Sequence, residues 1–332
     1  MSSSYPYPHI LLQPFKHTEA VISSHIEGTR TSLADLYHYE IAQPSFLEPS
    51  GDAREVLNYM HAMDYGLERF NTLPVSLRLI RELHGILMEG VRGGLISPGA
   101  FRHSQNWIGP AGCTLSTAPY VPPPIEEMIS ALNALEKFLY GGQAIPPLVR
   151  LGLIHYQFEA IHPFLDGNGR VGRLLIVILL CAWGLLPQPV LNLSPYFDRY
   201  RQAYYDNLLA VSQNGSWEDW LIFFLRGLRD QAHDGTYRMD LLKEIRIKYQ
   251  PVIDAERNKA RMTEIVEFLF SRPILTIKQA ADGLGIPLKT IGNYFAKLQR
   301  VDILHEKTTF GRNRIFQADE ILNAIKGFDG LT

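Results

Sequence analysis

With 332 residues, 46% of them hydrophobic, and 32 basic against 34 acidic side chains, the chain can fill a sizeable core in about two domains and carries no overall charge to draw it to nucleic acid or membrane. Two cysteines, Cys113 and Cys181, make no disulfide framework and read as reduced thiols. Met1 to Phe15 lacks the apolar core of a signal peptide, and Leu174 to Trp183 falls short of the about 20 apolar residues that span a bilayer, so a cytoplasmic protein with no membrane partner is expected.

Residues 1 to about 16, rich in proline, serine and tyrosine, read as an extended arm. Thr18 is placed to cap a helix running to Glu27, with Val21, Ile22 and Ile26 as its apolar stripe and Gly28 as its left-handed stop. Ser23 and Glu27 share one face of it. A carboxylate at a helix C-terminus opposes the macrodipole, which points to an outside cation; a packing helix with an exposed acid is the plainer alternative. Ser32-Leu33-Ala34-Asp35 reads as a capping box for a short helix ended by Pro44. Gly51 to Asn71 and Pro74 to Gly90 follow as scaffold helices, and His61 and His84 on them read as packed or surface histidines, since neither has a second metal-type residue four positions on.

From Gly93 the texture turns to glycine and proline. Gly109-Pro110 and Ala111-Gly112 mark turns between β-prone pieces, which predicts a hairpin where a surface loop is the alternative. Amphipathic spacing predicts a helix over 125–140, and a second from Leu148 to Ile161 delivers His162, with His155 and Glu159 on it read as structural. Leu174 to Trp183 is apolar all round, as in a central buried helix. Helices at Tyr196 to Ser212 and Trp217 to Gln231 close this core, and Tyr237 to Asn258 reads as a charged helical connector. Beyond it come helices at Met262–Phe270, Ile277–Leu284 and Leu288–Arg300, then strands at Val301–Glu306 and Arg314–Phe316 joined by residues 307–313. That order resembles a winged helix-turn-helix. Arg272, Lys278, Lys289, Lys297, Arg300, Lys307, Arg312 and Arg314 make the stretch locally basic, so it suits DNA phosphates; a protein-contact or dimer surface stays equally open, because the third helix offers little beyond Lys289 and Asn293 to read bases.

The chain is organised around His162-Pro163-Phe164-Leu165-Asp166-Gly167-Asn168-Gly169-Arg170-Val171-Gly172-Arg173, a loop that opens the apolar helix. Helix starts leave N–H groups unpaired at the positive end of the macrodipole and attract phosphate. Gly167 and Gly169 let an oxygen approach the backbone, Asp166 can hold a cation beside it, Arg170 and Arg173 project on one helix face, and His162 can take a proton near neutral pH. Gly167, Gly169 and Gly172 satisfy the dinucleotide glycine spacing, but a helix precedes them and no acid follows about 20 residues on; EF-hand and P-loop patterns are also absent. A glycine turn between core helices with ordinary surface arginines is what loop chemistry alone leaves open.

The same stretch resembles, at every specified position, the Fic family signature H-x-F-x-[DE]-G-N-G-R-x-x-R. The resemblance implies a mainly α protein: a Fic-type helical bundle with a small β-hairpin flap, joined here to a C-terminal winged helix-turn-helix. It implies transfer of AMP from ATP to a hydroxyl side chain of a target protein, self-modification included. On it, His162 is the general base and Asp166 holds Mg²⁺. Gly167, Asn168 and Gly169 line the anion hole, Arg170 and Arg173 hold phosphates, and Phe164 anchors the loop. Ile108 and Gly109 of the flap (Asn106 to Gly109), Val171 and Gly172 of the helix start, and Tyr204 and Tyr205 belong to the nucleotide site. Ser23-x-x-x-Glu27-Gly28 is similar to the family's inhibitory motif, in which the Glu pairs with the last signature arginine, here Arg173, and crowds the γ-phosphate. The expected organisation is 1–50 arm and inhibitory helix, 51–232 catalytic core, 233–257 connector and 258–332 winged helix, with a homodimer as the family's frequent state. The alternatives are a nucleotide-responsive DNA-binding regulator and an enzyme that removes AMP from a modified protein.

Overall fold

The computed structural model describes residues 8–42, 51–91, 97–110, 112–141, 144–307 and 314–326. Met1 to Tyr7 of the expected arm, Pro44, Gly93-Gly94, Ala111 and residues 308–313 of the expected wing lie outside the described residues. The chain forms two compact units, one of Ile22–Arg30 and Arg54–Gln231, the other of Met1–Val21, Thr31–Ala53 and Ala232–Thr332. Helix α1 (Pro8–Ile26) therefore contributes to both, as do α3 (Gly51–Arg69) and α10 (Trp217–Asp254).

In the first unit α7 (Asn168–Ala182) is the central helix, and it packs against α4 (Leu77–Leu87) and α6 (Pro147–Ile161). Every residue from Val171 to Leu180 is buried, as an unbroken apolar run requires. Each large aliphatic side chain there stabilises the fold by about 1.5–3 kcal/mol. α5 (Ile125–Gly141) covers α6 with Met128, Leu132, Leu135 and Leu139. α8 (Ser194–Arg199), α9 (Arg201–Asn214) and the start of α10 bring Phe197, Tyr204, Trp220 and Phe224 around the imidazole of His155. Among the described residues the hairpin expected over the flap is reduced to one antiparallel bridge, Ile108 with Tyr120, which closes a loop rather than starting a ladder.

In the second unit, α2 (Leu33–Ala42) opens on the expected capping box, with Ser32 N–H donating to Asp35 and Asp35 N–H to the Ser32 hydroxyl. It packs on β1 (Ile274–Thr276). After α11 (Lys259–Ser271) and β1 come α12 (Ile277–Leu284), α13 (Leu288–Arg300), β2 (His305–Glu306), β3 (Ile315–Gln317) and α14 (Asp319–Lys326). The antiparallel sheet runs β1-β3-β2, with Phe316 opposite both Leu275 and Glu306.

Four expectations change. Helix α1 already runs from Pro8, and Thr18 is no cap: its hydroxyl donates to the Pro14 carbonyl at 2.9 Å inside the helix. Burial of the run from Phe15 to Ser24 outweighs the cost of Pro14. The charged connector is no separate element but continues α10, whose Leu242, Ile245, Tyr249 and Ile253 form a buried stripe beneath the charges. The strand expected from Val301 starts only at His305, because Val301 and Asp302 form a turn with Asp302 at φ 62°. β1 and the amphipathic α14 had no counterpart in the sequence reading.

Candidate active site

Helix α6 ends at His162, whose left-handed backbone (φ 48°, ψ 61°) lets its N–H still reach the Phe158 carbonyl, and Pro163 prevents the helix from continuing. The chain then loops back. Asn168 clamps the Phe164 peptide from both sides, accepting its N–H at 2.8 Å and donating to its carbonyl at 2.9 Å. Phe164, fully buried, stacks on His84 with ring centroids 3.7 Å apart. The Asn168 side chain is therefore spent on the loop itself, and only backbone is left for an anion.

Gly167 stands at the N-cap of α7 in the left-handed region (φ 79°), with no side chain capping the helix. The first intrahelical bond returns from Val171 N–H to Gly167 at 3.0 Å, so the N–H groups of Asn168, Gly169 and Arg170 have no partner within the helix. Here the Glu27 carboxylate intervenes. Its Oε1 lies 2.3 Å from the point where a Cβ on Gly169 would stand, and it accepts from Arg173 Nη2 at 2.6 Å. Arg173 also donates to the Ser23 hydroxyl at 2.9 Å and the Ser23 carbonyl at 2.8 Å. Gly28 turns the chain away beyond it at φ 101°. Burial pushes the Glu27 carboxyl up, but the Arg173 guanidinium, with Arg170 and His162 behind it, outweighs this and holds it below its ordinary range.

Arg170 is almost wholly buried, paired through Nη1 with Glu55 at 2.6 Å, and its Nε–H has no hydrogen-bond partner among the described residues. Its Nη2 lies 3.7 Å from Asp166, a half-exposed carboxylate that accepts the N–H of Gly167 at 2.6 Å. His162 is half-buried and donates from Nδ1 to the Glu159 carbonyl at 3.3 Å, which leaves Nε2 as the acceptor. Burial keeps its pKa down at about 4, so the ring is neutral at physiological pH. Beside it Glu159 is pushed up to about 8 by burial, and its Oε1 has no partner among the described residues.

The structure thus gathers Ser23, Glu27, Gly28, His162, Asp166, Gly167, Gly169, Arg170 and Arg173 at one place. It turns others away. Val171 is in the core, and a Cβ on Gly172 would meet Glu159 and Phe158, because residues one and two positions after Arg170 face other sides of the helix. Tyr204 is 1% exposed with its hydroxyl on His155 Nε2 at 2.8 Å, so it is a core residue, while Tyr205 is 42% exposed. Ile108 and Gly109 stay in the flap, Gly109 packed against Pro119 and Cys113. From the sequence, Glu55 and Arg102 have no assigned role, His84 reads only as a packed or surface histidine, and Asn106 stands in the flap without a part in the loop. Arg102 holds the His162 carbonyl at 3.0 Å with Nε, while Asn106 bonds the carbonyls of His162 at 3.3 Å and Phe164 at 2.9 Å.

A helical bundle that opens its central helix on an uncapped glycine turn, and gathers two buried arginines and a neutral histidine there, defines the class of helical proteins with an anion-favouring helix start. Two sequence profiles extend this from geometry to ancestry: that of the Fic/DOC family matches residues 74–180 and that of its N-terminal region residues 1–68, together more than half of the chain. The chain belongs to the Fic/DOC family. Among curated relatives it is 31% identical over 141 residues to protein adenylyltransferase Fic of Aedes aegypti, covering 42% of this chain and 25% of that protein. It is 32% identical over 156 residues to a probable protein adenylyltransferase of Aquifex aeolicus, covering 45% and 48%. The chain thus spans a quarter to about half the length of these relatives. A Fic family protein from Desulfovibrio desulfuricans shares the fold over 95% of this chain and 89% of its own, with a TM-score of 0.60 at 18% identity. Fic-1 of C. elegans matches over 68% and 63%, with a TM-score of 0.51 at 21% identity.

Proposed function

We propose that this protein is an adenylyltransferase that moves AMP from ATP to a hydroxyl side chain of a target protein, itself included, and that Glu27 holds it inactive. The observation that carries the reading is the Glu27 carboxylate lodged at the uncapped start of α7 and bonded to Arg173: the chain fills its own anion site with an anion. The relatives named protein adenylyltransferase support the nucleotide and the reaction.

In this reading the α- and β-phosphates of ATP lie over Gly167 and Gly169, close to the buried Arg170, whose Nε–H has no partner among the described residues. Nε2 of His162 accepts the proton of the target hydroxyl as its oxygen attacks the α-phosphorus. The bond to the bridging oxygen of the β-phosphate breaks, and pyrophosphate leaves with the electron pair, its charge met by the helix start and both arginines. Mg²⁺ fits the donor set, since Asp166 presents a half-exposed carboxylate beside the glycine turn, and the other ligands would come from phosphate and water. Bound there, it would neutralise phosphate charge.

For the second unit, the order helix-strand-helix-helix-strand-strand and the β1-β3-β2 sheet support a winged helix. Its use as a DNA reader draws less support than a protein contact. Lys297 is held by Glu256 at 2.6 Å, Lys307 by Asp319 at 3.0 Å and Arg314 by Glu306, which leaves fewer cations for phosphates.

The test incubates wild type, Glu27→Gly and Glu27→Gly/His162→Ala with Mg²⁺ and ATP labelled on the α-phosphate. Label on protein in the single variant and none in the double is expected. No label on any of them, with ATP binding confirmed, would remove the transferase reading.

A further inference from the structure

His84 sits on α4, far from the signature in sequence, yet it is 1% exposed and touches the loop at two points. Its Nδ1 accepts the Gly99 N–H at 2.9 Å, so that nitrogen carries no proton and the ring is neutral. The proton therefore stands on Nε2, which donates to the Asp166 carbonyl at 3.1 Å. The same ring lies flat on Phe164, 4° from coplanar. It also walls the glycine turn: a Cβ on Gly167 would meet His84 Cδ2 at 3.5 Å and Met88 Sδ at 2.8 Å. On its far edge, Gly99 is tied through its carbonyl to Arg81 Nε at 2.7 Å. Three residues later Arg102 donates to the His162 carbonyl. One imidazole thus joins the loop that carries Asp166 to the segment that leads into the flap.

We propose that His84 is a positioning residue: as the Nε2–H tautomer it fixes the Asp166–Gly167 peptide, and so sets both the direction of the Asp166 carboxylate and the N–H groups that open α7. Among the described residues the half-exposed Asp166 carboxylate bonds the neighbouring Gly167 N–H and lies 3.7 Å from Arg170, so the His84 bond is the contact that ties its peptide to another helix. The proposal rests on the adenylyltransferase reading for its kinetic consequence but not for its geometry, which allows two independent measurements.

The first is a ¹⁵N imidazole NMR spectrum of the nucleotide-free protein at neutral pH, with the His84 resonance assigned by its loss in His84→Asn. The expected result is the neutral Nε2–H tautomer, and an imidazolium or an Nδ1–H signal would overturn the proposal whatever the enzyme does. The second compares His84→Gln and His84→Asn in the Glu27→Gly background. A glutamine amide reaches the place of Nε2 and can still donate to the Asp166 carbonyl. Asparagine reaches only the place of Nδ1 and leaves that carbonyl unpaired. The Asn variant is expected to lose about ten-fold in kcat and to need more Mg²⁺ for half-maximal rate, while the Gln variant stays within about three-fold of its parent. Equal losses in the two, or none in the Asn variant, would reduce His84 to a packing residue. If Glu27→Gly itself transfers no AMP, the transferase reading fails and the tautomer alone decides on His84.

Discussion

Glu27 and Arg173 meet at 2.6 Å above the first turn of α7, and the same guanidinium also grips Ser23 one helical turn earlier on α1. The last signature arginine is thus committed to the Ser23–Glu27 segment through a carboxylate, a hydroxyl and a backbone carbonyl. A γ-phosphate that seeks Arg173 must displace the carboxylate. Glu27→Gly is therefore expected to raise AMP transfer by about ten-fold or more, since each 1.4 kcal/mol of relieved competition is a factor of ten. Label transfer from α-labelled ATP measures it, and an unchanged rate would take the inhibitory role from Glu27.

The same substitution carries a structural cost. Arg173 is 2% exposed, and without Glu27 it keeps, among the described residues, the two Ser23 acceptors. Loss of one charged partner of a buried donor costs about 1–3 kcal/mol. Glu27→Gly should melt several degrees below wild type, and ATP should raise its melting temperature more than it raises that of wild type, because the phosphates restore the missing anion. Thermal melts with and without ATP read both effects. Equal shifts by ATP in the two proteins would mean that nucleotide does not reach Arg173.

Much of this site was legible in the sequence because its parts are contiguous. The loop from His162 to Arg173 closes on itself through Asn168 and Phe164, and the helix it opens is marked by its apolar run. What was not legible came from far along the chain. Glu55 meets Arg170 across 115 residues, His84 meets Asp166 across 82 and Arg102 meets His162 across 60, distances that no local pattern encodes. The pair Tyr204 and Tyr205 was half readable: adjacent helix positions diverge by about 100°, so both cannot face one ligand, but only packing against Phe197 and Trp220 decides that Tyr204 goes inward. At α1 the prolines misled, since local propensity is weaker than burial of the run from Phe15 to Ser24.

His162 gives a pH dependence with a definite sign. Burial holds its pKa at about 4, the Glu159 carbonyl and the Glu27 charge push the other way, and Arg102 lowers it again. A general base works unprotonated, so the transfer rate of Glu27→Gly should rise from acid pH and level off with a half-point well below the ordinary 6.5. Loss of the Glu27 charge moves that half-point down further. A pH–rate profile locates it, and a half-point at or above 6.5 would contradict the buried, neutral ring. His162→Ala in the same background should lower the rate by about 10²–10⁴-fold with ATP binding retained.

Glu159 gives the opposite sign in stability. Burial pushes its carboxyl from 4.5 up to about 8, with the Glu27 charge adding to the rise and Arg173 opposing it. Between these values the folded protein holds a proton that the unfolded chain has released. The stabilisation is complete below 4.5 and falls as pH rises through the window to about 8. Glutamine mimics the protonated acid and has nothing to release. The stability of Glu159→Gln relative to wild type should therefore increase with pH across the window, by at most about 1.4 kcal/mol per unit, and stay flat outside it. Urea unfolding of both proteins at several pH values measures the difference, and a difference independent of pH would mean that the carboxyl is ionised in the fold. In the Glu27→Gly background the window should narrow from its upper end, because the negative charge that helps keep Glu159 protonated is gone while Arg173 still opposes the rise.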